Sequence, residues 1–187
     1  MALYFAARGH GRAYSSLSPD VRTEDYSTTS RVLLSGLGAD ELFGGYSRHA
    51  AAFVRSGFKG LADELNLDYQ RIGQRNLGRD DRVISHWGRE TRYPFLDEDF
   101  VAYTLSLPVW EKCGFRPDRA VPKHFDGSVR VTDPARLDAA KMALRLVAWK
   151  LGMYQVASEK KRAIQFGART AKMETGAGRR KGTDALA

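Results

Sequence analysis

Apolar positions along this chain fall in short groups separated by glycine and proline, and their spacing changes from one group to the next. The opening "LYFAARG" is apolar and helix-compatible, although no capping residue precedes it. From Gly9 to Ser30 the sequence is polar and turn-rich. Arg31-Val32-Leu33-Leu34 follows, too short for a helix and flanked by turn signals, which predicts a buried strand. Leu61, Leu65, Tyr69 and Ile72 then recur at helical spacing. Asp80 or Asp81 is placed to cap a short helix carrying Val83, Ile84 and Trp87. Asp97 is placed to cap another, "DEDFVAYTLSL", whose acidic first turn suits the helix dipole and which stops before Pro108. Four of the six prolines fall from Pro108 to Pro134 and mark a long irregular connection. The strongest helical pattern runs from Pro134 to Leu151, through Leu137, Met142, Leu144, Leu146, Val147, Trp149 and Leu151. There is no internal repeat. One strand among many helices is an odd inventory for a whole domain, and it implies that part of a sheet lies elsewhere.

Composition narrows the class. With 187 residues, 43% hydrophobic and 28% charged, the chain has the make-up of one globular domain with a sizeable core. No run of about 18 apolar residues exists to span a membrane, and the N-terminus has no long hydrophobic region of a secretory signal. The single cysteine, Cys113, excludes an internal disulfide and fits a reducing, cytoplasmic setting, where it reads as a small, partly buried side chain. His10, His49, His86 and His124 lie too far apart for a local zinc pattern. The net charge of +8 invites a nucleic-acid partner. Most of that charge sits after Ser158, in a stretch that includes the tail "TGAGRRKGTDALA", so a solvated face is the stronger reading.

The chemistry concentrates in "RVLLSGLGADELFGGYSRHA", residues 31–50. A strand that runs into Ser35-Gly36-Leu37-Gly38 and then a helix places backbone N–H groups where an anion would sit. It is not a Walker A loop, since no Gly-Lys-Ser/Thr follows, and the dinucleotide fingerprint would need glycine where Glu41 stands. Asp40 and Glu41 beside a phosphate seat suit a magnesium ion, a hard cation that takes carboxylate oxygens. The competing account is a plain strand-to-helix turn in which Asp40 is a favourable first-turn charge. Phe43 and Tyr46 read as packing the helix back onto the strand.

"SGLGADELFGGY" resembles the Ser-Gly-Glu-Gly-(Ala/Ser)-Asp-Glu segment of the synthetase domain of asparagine synthetases. Three further segments resemble that family in the same order. They are "DDRVISHWGRETRYPFLDEDF", "KMALRLVAWKLG" and "KKRAIQFGAR", and together the match runs from about Tyr4 to Arg169. The forms "YFAARG", "RNLGRDDR" and "KRAIQFGAR" are most similar to the branch of asparagine synthetase domain-containing proteins.

The resemblance implies an α/β fold, the C-terminal part of a Rossmann-like pyrophosphate-loop ATPase domain, mostly helical in this chain. On that template residues 1–172 form a partial synthetase domain without its N-terminal strands and pyrophosphate loop, and 173–187 a disordered basic tail. Family enzymes use ATP and Mg2+ to activate aspartate as an acyl-adenylate, and ammonia drawn from glutamine then displaces AMP. Ser35, Gly36, Leu37 and Gly38 would bind the nucleotide, and Asp40 and Glu41 the metal. Glu90 and Arg92 would shape the acceptor side, and Lys161 or Arg162 would stabilise charge on the α-phosphate. Each has a plainer reading. Arg92 could pair with Asp97 or Glu90, Lys160 to Arg162 could be a solvated run, and Lys141 and Arg145 read as surface or packing positions.

The departures carry weight. The family's Ser-Gly-Gly-x-Asp-Ser loop is nowhere in the 187 residues, residue 2 is Ala2 rather than the amidotransferase cysteine, and Leu37 replaces the acid of Ser-Gly-Glu-Gly. The sequence therefore reads as the C-terminal part of a synthetase-like protein that opens inside a helix, working with a separate N-terminal part or not at all. By itself it is expected to be inactive. The alternative is a non-catalytic relative that binds or regulates.

Overall fold

The computed structural model describes residues 2–14, 22–116 and 136–162. Two compact units result, one running to Thr29 and grouped with Arg162, the other spanning Ser30–Lys161. In the first unit, α1 (Ala2–Arg8) leads into β1 (His10–Tyr14), which pairs antiparallel with β2 (Arg22–Ser27). The pairing sets His10 opposite Ser27 and Arg12 opposite Asp25, with an irregularity between Arg12 and Tyr14. This hairpin lies where the sequence reads as polar and turn-rich, because strands built from "HGRAY" and "RTEDYS" carry few apolar residues to announce themselves.

The second unit holds the parallel pair that makes the chain α/β. β3 (Val32–Leu34) lies parallel to β4 (Glu90–Arg92), with Val32, Leu33 and Leu34 opposite Glu90, Thr91 and Arg92. Parallel strands need a crossover. Here it comprises α2 (Ala39–Phe43), α3 (Ser47–Ile72), a π-helical segment at Gly73–Leu77 and α4 (Gly78–Ser85). After β4 come a 3-10 turn at Pro94–Leu96, α5 (Glu98–Ser106), α6 (Val109–Lys112), α7 (Met142–Lys150) and α8 (Tyr154–Ser158). The described residues are thus mostly helical, with two small sheets among them. No helix among the described residues is long and apolar enough to cross a membrane.

Several expected elements form for the stated reasons. The Asp97 carboxylate accepts a hydrogen bond from Phe100 N–H at 3.1 Å, capping α5, which ends at Ser106 ahead of Pro108. Leu61, Leu65 and Ile72 are buried on one face of α3, which breaks its regular path at Ser56 and Gly57, where Gly57 has φ +61°. Asp80 sits inside the first turn of α4 rather than capping it, since Leu77 is already helical and the π segment runs on unbroken.

Two expectations are corrected. The Val32-Leu33-Leu34 strand is not buried: Leu34 is 76% exposed and Val32 43%, because among the described residues β4 is the strand's one neighbour. The helix expected over Pro134–Leu151 begins only at Met142. Leu137, fully buried, belongs to an irregular approach, and Lys141 adopts a left-handed conformation that no helix interior tolerates. Pro134 itself, and the expected tail from residue 173, lie outside the described residues.

The core forms around α3, where Phe53, Leu61 and Leu65 meet Cys113, Phe115 and Ala139. Phe53 and Phe115 stack at 5.7 Å between ring centroids. Leu42, Phe43 and Val101 form a second cluster with Phe95 and Phe100, so α2 packs on α5. Cys113 is fully buried, its thiol pushed up to about 12 by that burial, and Sγ–H donates to Phe43 O at 3.3 Å.

Candidate functional site

β3 delivers the chain into the turn Ser35–Gly38. Ser35 N–H donates to Arg92 O at 2.9 Å, so strand pairing continues into the first turn residue. Gly38 has φ +100°, and a Cβ there would stand 2.7 Å from Leu96 Cδ2, so both backbone and space require glycine. Gly36 differs: a Cβ would meet nothing within 4 Å, leaving that side of the turn open. The N–H groups that an anion would use are largely engaged within the turn. Leu37 N–H donates to Ser35 Oγ at 3.3 Å, Gly38 N–H to Glu41 Oε2 at 3.2 Å, and Ala39 N–H to Gly36 O at 3.2 Å.

Asp40 and Glu41 are neighbours on α2 and face different surroundings. Glu41 is 3% exposed. Beyond Gly38 N–H it accepts Tyr46 O–H at 2.6 Å and Asn76 Nδ2–H at 3.4 Å, both on Oε1. Glu41 therefore braces the turn from inside. The Tyr46 hydroxyl is held well above its usual range, first by burial and then by the Glu41 carboxylate that accepts its proton.

Asp40 meets two lysines. Lys161 Nζ bonds Asp40 Oδ2, and Lys141 Nζ lies 3.0 Å from Oδ1. Burial by itself would raise the Asp40 carboxyl, but Lys161 and Lys141 outweigh it and hold the group below its ordinary value. Room for this carboxylate comes from Gly45, where a Cβ would fall 1.9 Å from Asp40 Oδ1. Two ammonium groups converge on one carboxylate, a half-buried cluster with a net positive charge.

Each lysine is positioned by its own device. Lys141 sits at φ +57°, its N–H bonded to Phe43 O at 2.9 Å, just before α7. Lys161 follows α8 on a segment that Arg145 secures. The buried Arg145 guanidinium donates to Ala157 O at 2.6 Å, Glu159 O at 2.8 Å and Ala140 O at 2.9 Å. Tyr46 adds a face: Lys161 Nζ stands 5.1 Å and Arg48 Cζ 4.2 Å from its ring centroid.

Behind Tyr46 lies a buried histidine. Tyr46 N–H donates to His49 Nδ1 at 3.2 Å, so the ring proton is on Nε2, which donates to Asp68 Oδ2 at 2.8 Å. Burial lowers the His49 pKa despite Asp68.

Among the described residues, Glu90 and Arg92 are not joined to this cluster. Glu90 and Arg92 pair with each other on β4, both largely exposed. Arg162 is exposed and falls in the other unit. Lys141, Arg145, Gly45 and Tyr46 were not legible as site residues, although Lys141 and Arg145 are the first and fifth residues of the "KMALR" segment.

No group of three His, Cys, Asp or Glu among the described residues forms a protein metal cage. A magnesium ion carried by phosphates needs only one or two carboxylates. Asp40 Oδ1 fits that need: it is buried and lacks a well-aligned hydrogen-bond donor, although Lys141 is near. Glu41, with both oxygens engaged, offers no such atom.

Comparison with known proteins identifies the family. The sequence model of the asparagine synthase family matches residues 24–61 and 56–125, more than half of the chain. Asparagine synthetase domain-containing protein 1 of Bos taurus is 43% identical over 173 residues, covering 92% of this chain and 24% of that protein. An asparagine synthetase domain-containing protein of Saccharomyces cerevisiae is 41% identical over 187 residues, covering 100% of this chain and 29% of its own length. The glutamine-hydrolyzing asparagine synthetase 3 of Arabidopsis thaliana is 35% identical over 89 residues, 47% of this chain and 14% of that one. The chain thus spans about a quarter of the length of the first two. No solved structure matches.

Proposed function

The chain belongs to the asparagine synthetase family, and on that premise we propose that it supplies the phosphate-facing half of an ATP-dependent amide-forming site. The observation that carries this reading is the Asp40 carboxylate held between Lys141 and Lys161 at the end of the Ser35–Gly38 turn. Nucleotide phosphates enter beside the open face of Gly36. Lys161 and Lys141 would meet the phosphate oxygens and Asp40 would be the protein's carboxylate for an accompanying magnesium, which when bound would neutralise phosphate charge. Glu41 and Tyr46 hold the turn in place. The fold is a Rossmann-like ATPase domain, and the compartment is the cytoplasm.

The acceptor, by family, is aspartate, with ammonia from glutamine as the nitrogen source. Turnover needs a group that these 187 residues do not contain, the Ser-Gly-Gly-x-Asp-Ser loop, and Leu37 stands where the family has an acid. An apolar side chain cannot take over an acid's charge or hydrogen bonds. We therefore assign nucleotide binding to this chain and catalysis to an assembly that also holds the loop. Leu37 favours one other reading, a relative that binds nucleotide or a partner without amidation. Calorimetric titration with MgATP tests the assignment. Saturable binding, weakened at least about tenfold in Lys161→Met by loss of a charge-assisted contact, is expected. Absence of binding in both the chain and a longer protein carrying the loop would overturn it.

A further inference from the structure

A groove of about 600 Å3 opens between α3, α5 and α6, lined by Leu42, Phe58, Leu65, Tyr69, Trp110 and Lys112 among others. Its size falls in the range of small-molecule sites, about 300–1,000 Å3. Trp110 and Leu105 at its edge are 59% and 46% exposed, apolar surface that faces water.

Lys112 sets this groove apart from an ordinary apolar depression. The other charged groups of its lining are engaged: Lys59 pairs with Asp63 at 2.8 Å, and Glu41 holds Gly38 N–H and Tyr46 O–H. Lys112 is 4% exposed, and among the described residues its one acceptor is Thr104 O at 3.2 Å. An ammonium carries three donors and a full charge, so two donors and the charge itself remain uncompensated in a desolvated place. Thr104 beside it is fully buried, and its Oγ1 has no hydrogen-bond partner. Burial accordingly lowers the Lys112 pKa.

We propose that this groove binds a small carboxylic acid with an apolar body, its carboxylate on Lys112 Nζ and its body against Phe58, Leu65 and Trp110. Charge complementarity selects the carboxylate. Concavity selects a small molecule, because a flat macromolecular surface would not reach a side chain so buried. The inference does not depend on nucleotide binding at Asp40, although α2 contributes to both places.

The test is calorimetric titration of the full chain with sodium octanoate and, separately, with 1-octanol. Octanoate is expected to saturate at one per chain and to bind at least about tenfold tighter than octanol, the margin of a charge-assisted bond. Lys112→Met is expected to remove that preference. Lys112→Arg, which keeps the charge, is expected to retain it, so the outcome does not hang on one variant folding. Ala62→Phe, which fills the groove, is expected to lose both probes. Equal binding of the two probes, an octanoate preference that survives Lys112→Met, or no saturable octanoate binding overturns the proposal. So does a dimer in sedimentation that Ala62→Phe dissociates, since a second copy would then be the occupant.

Discussion

Lys141 reaches Asp40 from a left-handed backbone: at φ +57° its Nζ lies 3.0 Å from Asp40 Oδ1. It is the one non-glycine residue with positive φ among the described residues. A non-glycine residue there costs about 1–3 kcal/mol, and such positions cluster where a side chain must be aimed. Here the aim is a carboxylate that opens the α2 turn and is already bonded to Lys161.

The strain and the ion pair can be separated by two substitutions. Lys141→Met keeps the strain and loses the pair, whereas Lys141→Gly loses both. Chemical denaturation is expected to find Lys141→Gly more stable than Lys141→Met by about 1 kcal/mol. The reverse order would mean that the left-handed conformation is not imposed on this residue.

Gly45 makes room for Asp40. A Cβ there would fall 1.9 Å from Oδ1, so Gly45→Ala is expected to destabilise the chain by about 1–3 kcal/mol through overpacking. Adding Asp40→Ala removes the clashing atoms. The double variant is therefore expected to be more stable than the two single costs combined, a coupling that equilibrium unfolding measures.

Arg145 holds the approach to Lys161 through the carbonyls of Ala157 and Glu159. Arg145→Met leaves these acceptors unpaired, and a loss of at least about 2 kcal/mol is expected. Arg145→Lys does not restore stability, because an ammonium cannot span the two carbonyls as a guanidinium does. Amide exchange of residues 157–161 is expected to quicken in both variants.

His49 makes stability depend on pH. Burial lowers its folded pKa from the ordinary 6.5, so the unfolded chain takes up the proton first as pH falls. Its contribution is complete above pH 6.5 and is lost as pH drops toward the folded value, at no more than about 1.4 kcal/mol per pH unit. Denaturation midpoints between pH 7.5 and 5 are expected to fall less steeply in His49→Gln than in the parent.

These relationships explain why some of the fold was legible in sequence and some was not. The cap at Asp97 and the stripe of Leu61, Leu65 and Ile72 are local, set by spacing within one helix, and they form as read. The helix expected from Pro134 was misplaced because Leu137 is buried by contacts with Ala148 and Ala157 that join separate segments, which periodicity cannot distinguish from a helical face. The strand at Val32–Leu34 reads as buried because apolar triplets in parallel sheets usually have cover on both faces. At the site, the glycine turn with Asp40 stood out by composition. Lys141 and Lys161, which share that carboxylate, lie about a hundred residues further on. Only the tertiary fold brings them to Asp40.

The most direct test of the central claim compares two ligands on one variant. Asp40→Asn removes the carboxylate that now occupies both lysines, and with it the acceptor proposed for magnesium. Metal-free pyrophosphate is then expected to bind several-fold tighter than in the parent, while MgATP binds at least about tenfold weaker. Opposite shifts would establish that Asp40 holds the phosphate-binding lysines until a metal nucleotide replaces them. Affinities that move together, or neither moving, would contradict that role.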